Sequence, residues 1–247
     1  MNKPYRAFQA FILLAIASFL EVKLITGKLD LYINIRFAPL TVFAIIALVL
    51  MSYSLMRYSK EESEHEEDED HHHEHSHSIS VYGLLFLLIP VLIGILIPAR
   101  PLDAAAATTR GVNVSAPIIS SAAQAQSFES VADQRNVLDW IRIFNSGTDV
   151  TPYIGQTADV IGFVFRDGRL TENQFLVSRF VITCCAADGL AIGMVVNWDQ
   201  TSTLSENTWV RVTGAVEPYQ LEGQPVPLIQ ADSVEVVQEP EQPYLFP

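Results

Sequence analysis

Basic residues are scarce in this 247-residue chain, with 15 Lys and Arg against 28 Asp and Glu, for a formal net charge of -13. A broad cationic surface of the kind that tracks a phosphate backbone is therefore excluded. Cysteine is scarcer still: two residues, adjacent at Cys184 and Cys185, cannot staple a disulfide-rich secreted domain. Histidine is missing from the whole chain except for one short segment, so no dispersed histidine constellation can be built on a fold. Charge of either sign is absent from two long windows, 38–56 and 79–99.

Those windows are 19 and 21 residues long, and at 1.5 Å rise per residue each approaches the ~30 Å of hydrocarbon in a bilayer. Only a helix satisfies its own backbone polar groups there, so both are expected to span. Tyr53, Tyr58 and Tyr82 near the ends favour the headgroup zone, and Arg57 and Arg100 close the C-terminal edges. An earlier apolar stretch, 7–25, reaches spanning length if Glu21 and Lys23 snorkel to the interface. Ala15-Ile16-Ala17 would suit signal cleavage, but cutting there leaves a very short hydrophobic region, and an uncleaved first helix is the preferred reading. The expectation is a multi-pass protein of the membrane with about three spans, near 7–25, 38–56 and 79–99, and with its termini on opposite faces.

Between the second and third windows lies an acidic loop, 59–78, with nine carboxylates and one lysine. It contains all six histidines, His65, His71, His72, His73, His75 and His77, a set of imidazoles suited to zinc, copper or nickel. With no apolar anchor, such a loop would act as a metal buffer or sensor and not as a catalyst. A solvated polyanionic loop with incidental histidines is the competing reading.

Residues 101–127 are rich in Ala, Ser, Thr and Pro and read as a linker. An amphipathic helix is expected over 128–146, with Ser130 and Asp133 as a capping pattern, apolar residues at helical spacing from Val131 to Phe144, and Asn145-Ser146-Gly147 as a stop. Beyond it the period changes to two. Strands are expected near 158–165, 175–185, 190–198, 208–216 and 227–237, forming an all-β domain over 150–238 with a tail at 239–247. Tyr153 to Val164 and Trp209 to Val216, with their glycines, look like strands of an OB-like five-stranded barrel. Many such barrels bind single-stranded nucleic acid. Residues 150–247 carry four arginines, no lysine and twelve carboxylates, which argues against a nucleic-acid partner.

One segment of the β region has chemical potential: Cys184-Cys185-Ala186-Ala187-Asp188. On a continuing strand, Cys184 shares a face with Phe180 and Ile182 while Cys185 shares the other with Arg179, Val181 and Thr183, so the thiols should point apart. Cys184 is then a small buried hydrophobe, and Cys185 is the better candidate for a ligand or reactive thiol. If a turn intervened, two thiolates with Asp188 could supply part of a metal site, completed from elsewhere.

The stretches Leu138-Asp139-Trp140-Ile141-Arg142, Tyr153-Ile154-Gly155, Gly162-Phe163-Val164, Asn173-Gln174-Phe175 and, above all, Arg179-Phe180-Val181-Ile182-Thr183-Cys184-Cys185-Ala186-Ala187-Asp188 resemble the YcgQ-like family of bacterial permease subunits. The resemblance covers nearly the whole chain. It implies an accessory protein of the bacterial plasma membrane, with lipid and a separate multi-spanning permease as partners, and a link to zinc as transported solute or cofactor. It places emphasis on Arg179, Cys184, Cys185 and Asp188 without fixing their roles. The β domain is expected to be extracytoplasmic, on the weak pointers of linker composition and acidity. Two other readings are a membrane-tethered protein-interaction module and a thiol-dependent enzyme. The latter ranks low, since the β region has neither a histidine base nor a C-x-x-C pair.

Overall fold

The computed structural model describes residues 3–61, 81–115, 135–146 and 149–247, which fall in two compact units, Met1–Arg100 and Pro101–Pro247. The histidine-rich loop, the expected start of the third span at 79–80 and the Ser130/Asp133 pattern lie outside the described residues.

The first unit contains helices α1 (Lys3–Ile25), α2 (Ala38–Glu61) and α3 (Val81–Leu96). Two of them are long and apolar enough to cross a membrane, over Tyr5–Ile25 and Ile35–Arg57. In water their side chains should turn inward, yet Phe11 is 63% exposed, Phe43 71% and Leu50 60%. Contact between α1 and α2 instead uses small residues. Ala10 and Ala17 are buried, and the buried Ser52 hydroxyl donates to the Ala10 carbonyl at 3.0 Å. Small side chains that let backbones approach, joined by a hydroxyl bond, are how helices associate where the surrounding solvent is itself apolar. Between these helices Gly27, with φ of 68°, opens the 3-10 turn Lys28–Leu31, and Asn34 caps the next, Ile35–Phe37, by accepting the Arg36 N–H. Lys23 folds back so that its ammonium lies 5.4 Å from the Phe19 ring and 5.5 Å from that of Tyr32. The described part of α3 has 16 residues with Pro90 inside, about 24 Å of helix and shorter than the expected 79–99 span.

The second unit begins with α4 (Ala104–Arg110) and strand β1 (Val112–Asn113), both inside the stretch whose composition reads as a linker. Helix α5 (Val137–Asn145) follows, then strands β2 (Thr157–Phe165), β3 (Gln174–Val181), β4 (Leu190–Asn197), β5 (Trp209–Leu221), β6 (Gln224–Val236) and β7 (Tyr244–Leu245). The sheet order is β1-β4-β6-β5-β2-β3-β7, and an additional β3–β4 pairing brings the five long strands round into a partial ring. Two of its seams are short. β2 meets β3 only from Phe163↔Ser178 to Phe165↔Leu176, and β4 meets β6 in parallel only from Val195↔Leu228 to Asn197↔Gln230.

Local chemistry explains the ring's bends. The β5–β6 hairpin turns at Glu222 and Gly223, both with positive φ, the geometry of a two-residue turn whose twist matches its strands. A register shift lies between Thr213 and Gly214, where a Cβ on Gly214 would sit 2.1 Å from the Gln230 carbonyl oxygen, so the strands can bend this closely only at glycine.

Helix α5 starts from a capping box, with the Asn136 side chain accepting the Leu138 and Asp139 N–H groups while Asp139 accepts the Asn136 N–H. Its apolar face, including Trp140, Ile141 and Phe144, packs with Val160, Val177, Ile192, Val212 and Ile229 in one core. A second core lies on the other side of the strands, where Ala104, Ala107, Val112 and Val114 join Phe163, Phe180, Val195 and Tyr244. All eight residues of β3 are consequently buried, whereas β2 shows alternation at its start.

Candidate functional site: a dithiol turn and a buried arginine

Strand β3 stops at Val181, four residues before the expected end at Cys185. The Ile182 N–H donates to the Leu245 carbonyl of the C-terminal segment at 3.1 Å. The next three N–H groups are taken by one carboxylate: Thr183 donates to Asp188 Oδ1 at 3.0 Å, and Cys184 and Cys185 donate to Oδ2 at 2.7 and 3.4 Å. A side chain that offers the backbone an alternative acceptor in this way ends a strand. Cys185 then caps the short 3-10 turn Ala186–Asp188.

The turn overturns the expectation that the thiols diverge. Cys184 Sγ and Cys185 Sγ lie 3.7 Å apart, and Cys184 is exposed, not a buried hydrophobe, with Cys185 half-buried. Ligand atoms of Cys184, Cys185 and Asp188 all lie within 4.8 Å of one another. Hydrogen bonding to Asp188, and then to Cys185, pushes the Cys184 thiol up to about 11. For Asp188, burial acts to raise the carboxyl, but the bonds from the Cys184 side chain and from the three backbone N–H groups outweigh it and hold it below its usual range. Arg110 steadies the far side of the turn by donating to the carbonyls of Ala186 and Gly189 at 3.2 and 2.8 Å.

Arg179 has a different task from the one its sequence proximity to Cys185 implies. Only 8% exposed, its guanidinium donates to the Ile161, Gln242 and Pro243 carbonyls at 3.2, 2.7 and 2.9 Å and lies 5.3 Å from the Trp209 ring centre. It stands where β3 exchanges partners, from β2 at Ser178 to β7 at Phe180↔Tyr244. The planar fork thereby satisfies carbonyls at a break in the ladder. Burial pushes the guanidinium down to about 10, which leaves it charged at neutral pH. Tyr244 is 1% exposed, and its hydroxyl accepts the Leu102 N–H at 2.9 Å, so the segment expected to be a free tail is sewn to the start of the unit. Sequence reasoning missed Arg110, Leu102 and Tyr244 as parts of this region. The signal that could have found it is the apolar, aromatic pair Tyr244 and Phe246, which packs in the second core.

Apolar helices long enough for a bilayer, joined in one chain to a strand ring with two neighbouring thiols, define the class: a protein of the membrane with a separate β unit. Residues 8–113 match the DUF1980 N-terminal domain and residues 121–247 the DUF1980 C-terminal domain, and the chain belongs to this family. It is 27% identical over 96 residues to the UPF0703 protein YcgQ of Bacillus subtilis (strain 168), an alignment covering 38% of this chain and 34% of that protein. A longer alignment, 262 positions at 23% identity, covers 90% of this chain and 92% of a Streptococcus mutans protein named "Putative two-component membrane permease complex subunit". The YcgQ-like resemblance carried by the Arg179 to Asp188 segment is thus shown.

Proposed function

We propose that this protein is an accessory subunit of a membrane permease complex, anchored in the bacterial plasma membrane by its first unit, with its second unit as an OB-like barrel that captures or delivers the solute. The observation that carries the reading is the bare apolar surface of α1 and α2 in a chain similar, nearly end to end, to a protein named as a permease complex subunit. Three helices, with 79–99 as the third span, are few for an autonomous transporter, and so a multi-spanning partner is required. The extracytoplasmic side is the placement we assign to the barrel, which leaves its exposed thiols facing the more oxidising compartment.

Zinc or a related transition metal is the solute class favoured by the ligand types: Cys184, Cys185 and Asp188 on the barrel, and the histidines of residues 65–77. A non-enzymatic role is favoured by the Cys184 thiol, which is pushed away from the thiolate form that a nucleophile needs. The test is affinity purification of the tagged full-length chain from its native membranes in mild detergent. A stoichiometric multi-spanning permease should co-purify, and recovery of the chain only as a free species would refute the subunit reading.

A further inference from the structure

We infer that Cys184, Cys185 and Asp188 form a coordination site matched to a tetrahedral divalent d10 cation of the zinc class, with at least one position left open for exchange. The inference deepens the assignment of this turn as the solute site and does not depend on which permease, if any, is bound.

Three observations carry it. First is the bite. With sulfurs 3.7 Å apart and a metal–sulfur bond of about 2.3 Å, the S–metal–S angle comes to about 107°, close to tetrahedral. A two-coordinate linear ion would need the sulfurs at opposite ends of a diameter, nearly twice the bond length apart, which adjacent residues in this turn do not offer. Second is the preorganisation. Asp188 collects the N–H groups of Thr183, Cys184 and Cys185, so the backbone carrying both thiols is held before any ion arrives, and Arg110 holds the carbonyls of Ala186 and Gly189 behind it. A group that orients ligands in this manner lowers the ordering cost of binding. Third is charge and access. Two thiols and a carboxylate converge, Cys184 and Asp188 are exposed, and Arg110, the cation bound to this turn, is committed to carbonyls. Binding is written M²⁺ plus two thiols giving a bis-thiolate complex and two protons released to the buffer, with no redox change.

Three protein ligands leave a tetrahedral ion one vacancy, the mark of a site that passes its ion on and not of a closed structural one. A regular strand would have placed the thiols on opposite faces, so the strand break at Val181 is what creates the site.

The experiment uses the full-length chain in detergent with the six loop histidines changed to alanine, both thiols reduced and counted before metal is added. Co²⁺ serves as the spectroscopic probe. One equivalent should give thiolate-to-cobalt charge transfer in the near ultraviolet together with the intense visible bands of tetrahedral cobalt, and Zn²⁺ should bleach both. Cys184→Ser and Cys185→Ser should each cut the charge-transfer intensity at one equivalent to half or less. Asp188→Asn, which removes a charged ligand as well as the acceptor that holds the turn, should weaken binding by at least about 10- to 100-fold, the usual effect of losing an orienting group alone. Unchanged circular-dichroism melting of the serine variants would establish that they remain folded. Absence of charge transfer in a chain with two titratable thiols would overturn the inference, as would its persistence at full intensity in either serine variant. Spectra typical of octahedral cobalt would overturn the tetrahedral assignment. Repeating the permease co-purification with the serine variants separates the two proposals, because loss of metal with retention of the partner leaves the subunit reading standing.

Discussion

Arg179→Met removes the guanidinium while keeping most of the apolar stem, and it tests whether a single buried cation holds the last residues of the chain in place. Three charge-assisted hydrogen bonds are lost, each worth about 1.5–3 kcal/mol when made to a charged group. The full sum is not expected. The Gln242 and Pro243 carbonyls can swing into water if the terminal segment detaches, and only the Ile161 carbonyl belongs to a long strand that stays fixed. One orphaned buried acceptor costs about 1–3 kcal/mol, and exposing Tyr244 adds a further ~1.5–3 kcal/mol. A loss of about 3–5 kcal/mol is therefore predicted, equivalent to a fall of roughly 10 °C in the melting temperature of the β unit. The assay is thermal unfolding of the full-length protein in detergent, paired with brief chymotrypsin treatment and mass spectrometry. The wild type should resist cleavage after Tyr244, and the variant should be cut there well below its melting temperature. Arg179→Lys should be intermediate, since a single ammonium cannot reproduce the planar fork that meets carbonyls from two directions. Continued protection of Tyr244 with a melting shift under about 2 °C would refute the reasoning.

Other outcomes follow from the same geometry. Gly214→Ala places a Cβ against the Gln230 backbone at the β5–β6 bulge and should cost about 1–3 kcal/mol or more, read as lowered denaturant midpoint with unchanged slope. In the metal-free protein, Asp188→Asn should accelerate iodoacetamide alkylation of Cys184 near pH 8. Asp188 is the largest but not the sole cause of a thiol held at about 11, so its relief raises the thiolate fraction by at most about 100-fold, and the weaker nucleophilicity of a more acidic thiol trims this to at most about tenfold. An unchanged alkylation rate would show that the carboxylate does not control the thiol. Alkaline carbonate washing should leave the full-length chain in the membrane pellet, and release into the supernatant would contradict the reading of α1 and α2 as spans.

The long strands were legible because their side chains alternate or form short apolar runs between turn signals, and the observed β2, β4, β5 and β6 lie close to the expected positions. The end of β3 was not legible. Arg179 to Cys185 continues a strand-like composition, and the break depends on Asp188 reaching back to three N–H groups, a relation no periodicity displays. Ala104 to Arg110 gave no amphipathic signal, since alanine fills a narrow space against β-strand side chains without marking a face. Likewise the start of α5 is set by Asn136 and Asp139, because the capping residues are those whose side chains meet the free N–H groups. At the candidate site the identities of Cys184, Cys185 and Asp188 could be read directly, whereas the convergence of their ligand atoms required the turn.

The stitch between Leu102 and Tyr244 joins residues 142 apart in sequence, and β3 receives its last neighbour only from residues 244 and 245. Those two residues lie outside every other strand of the ring, so their docking is a step separate from the pairing of the five long strands. The β unit therefore completes its outer layer only once residues 244 and 245 have docked, and Leu176, Phe180 and Ile182 share the core that this docking closes. A chain in which this segment is undocked would show the greasy strip to chaperones and proteases, which makes the segment a latch on the quality of the whole unit.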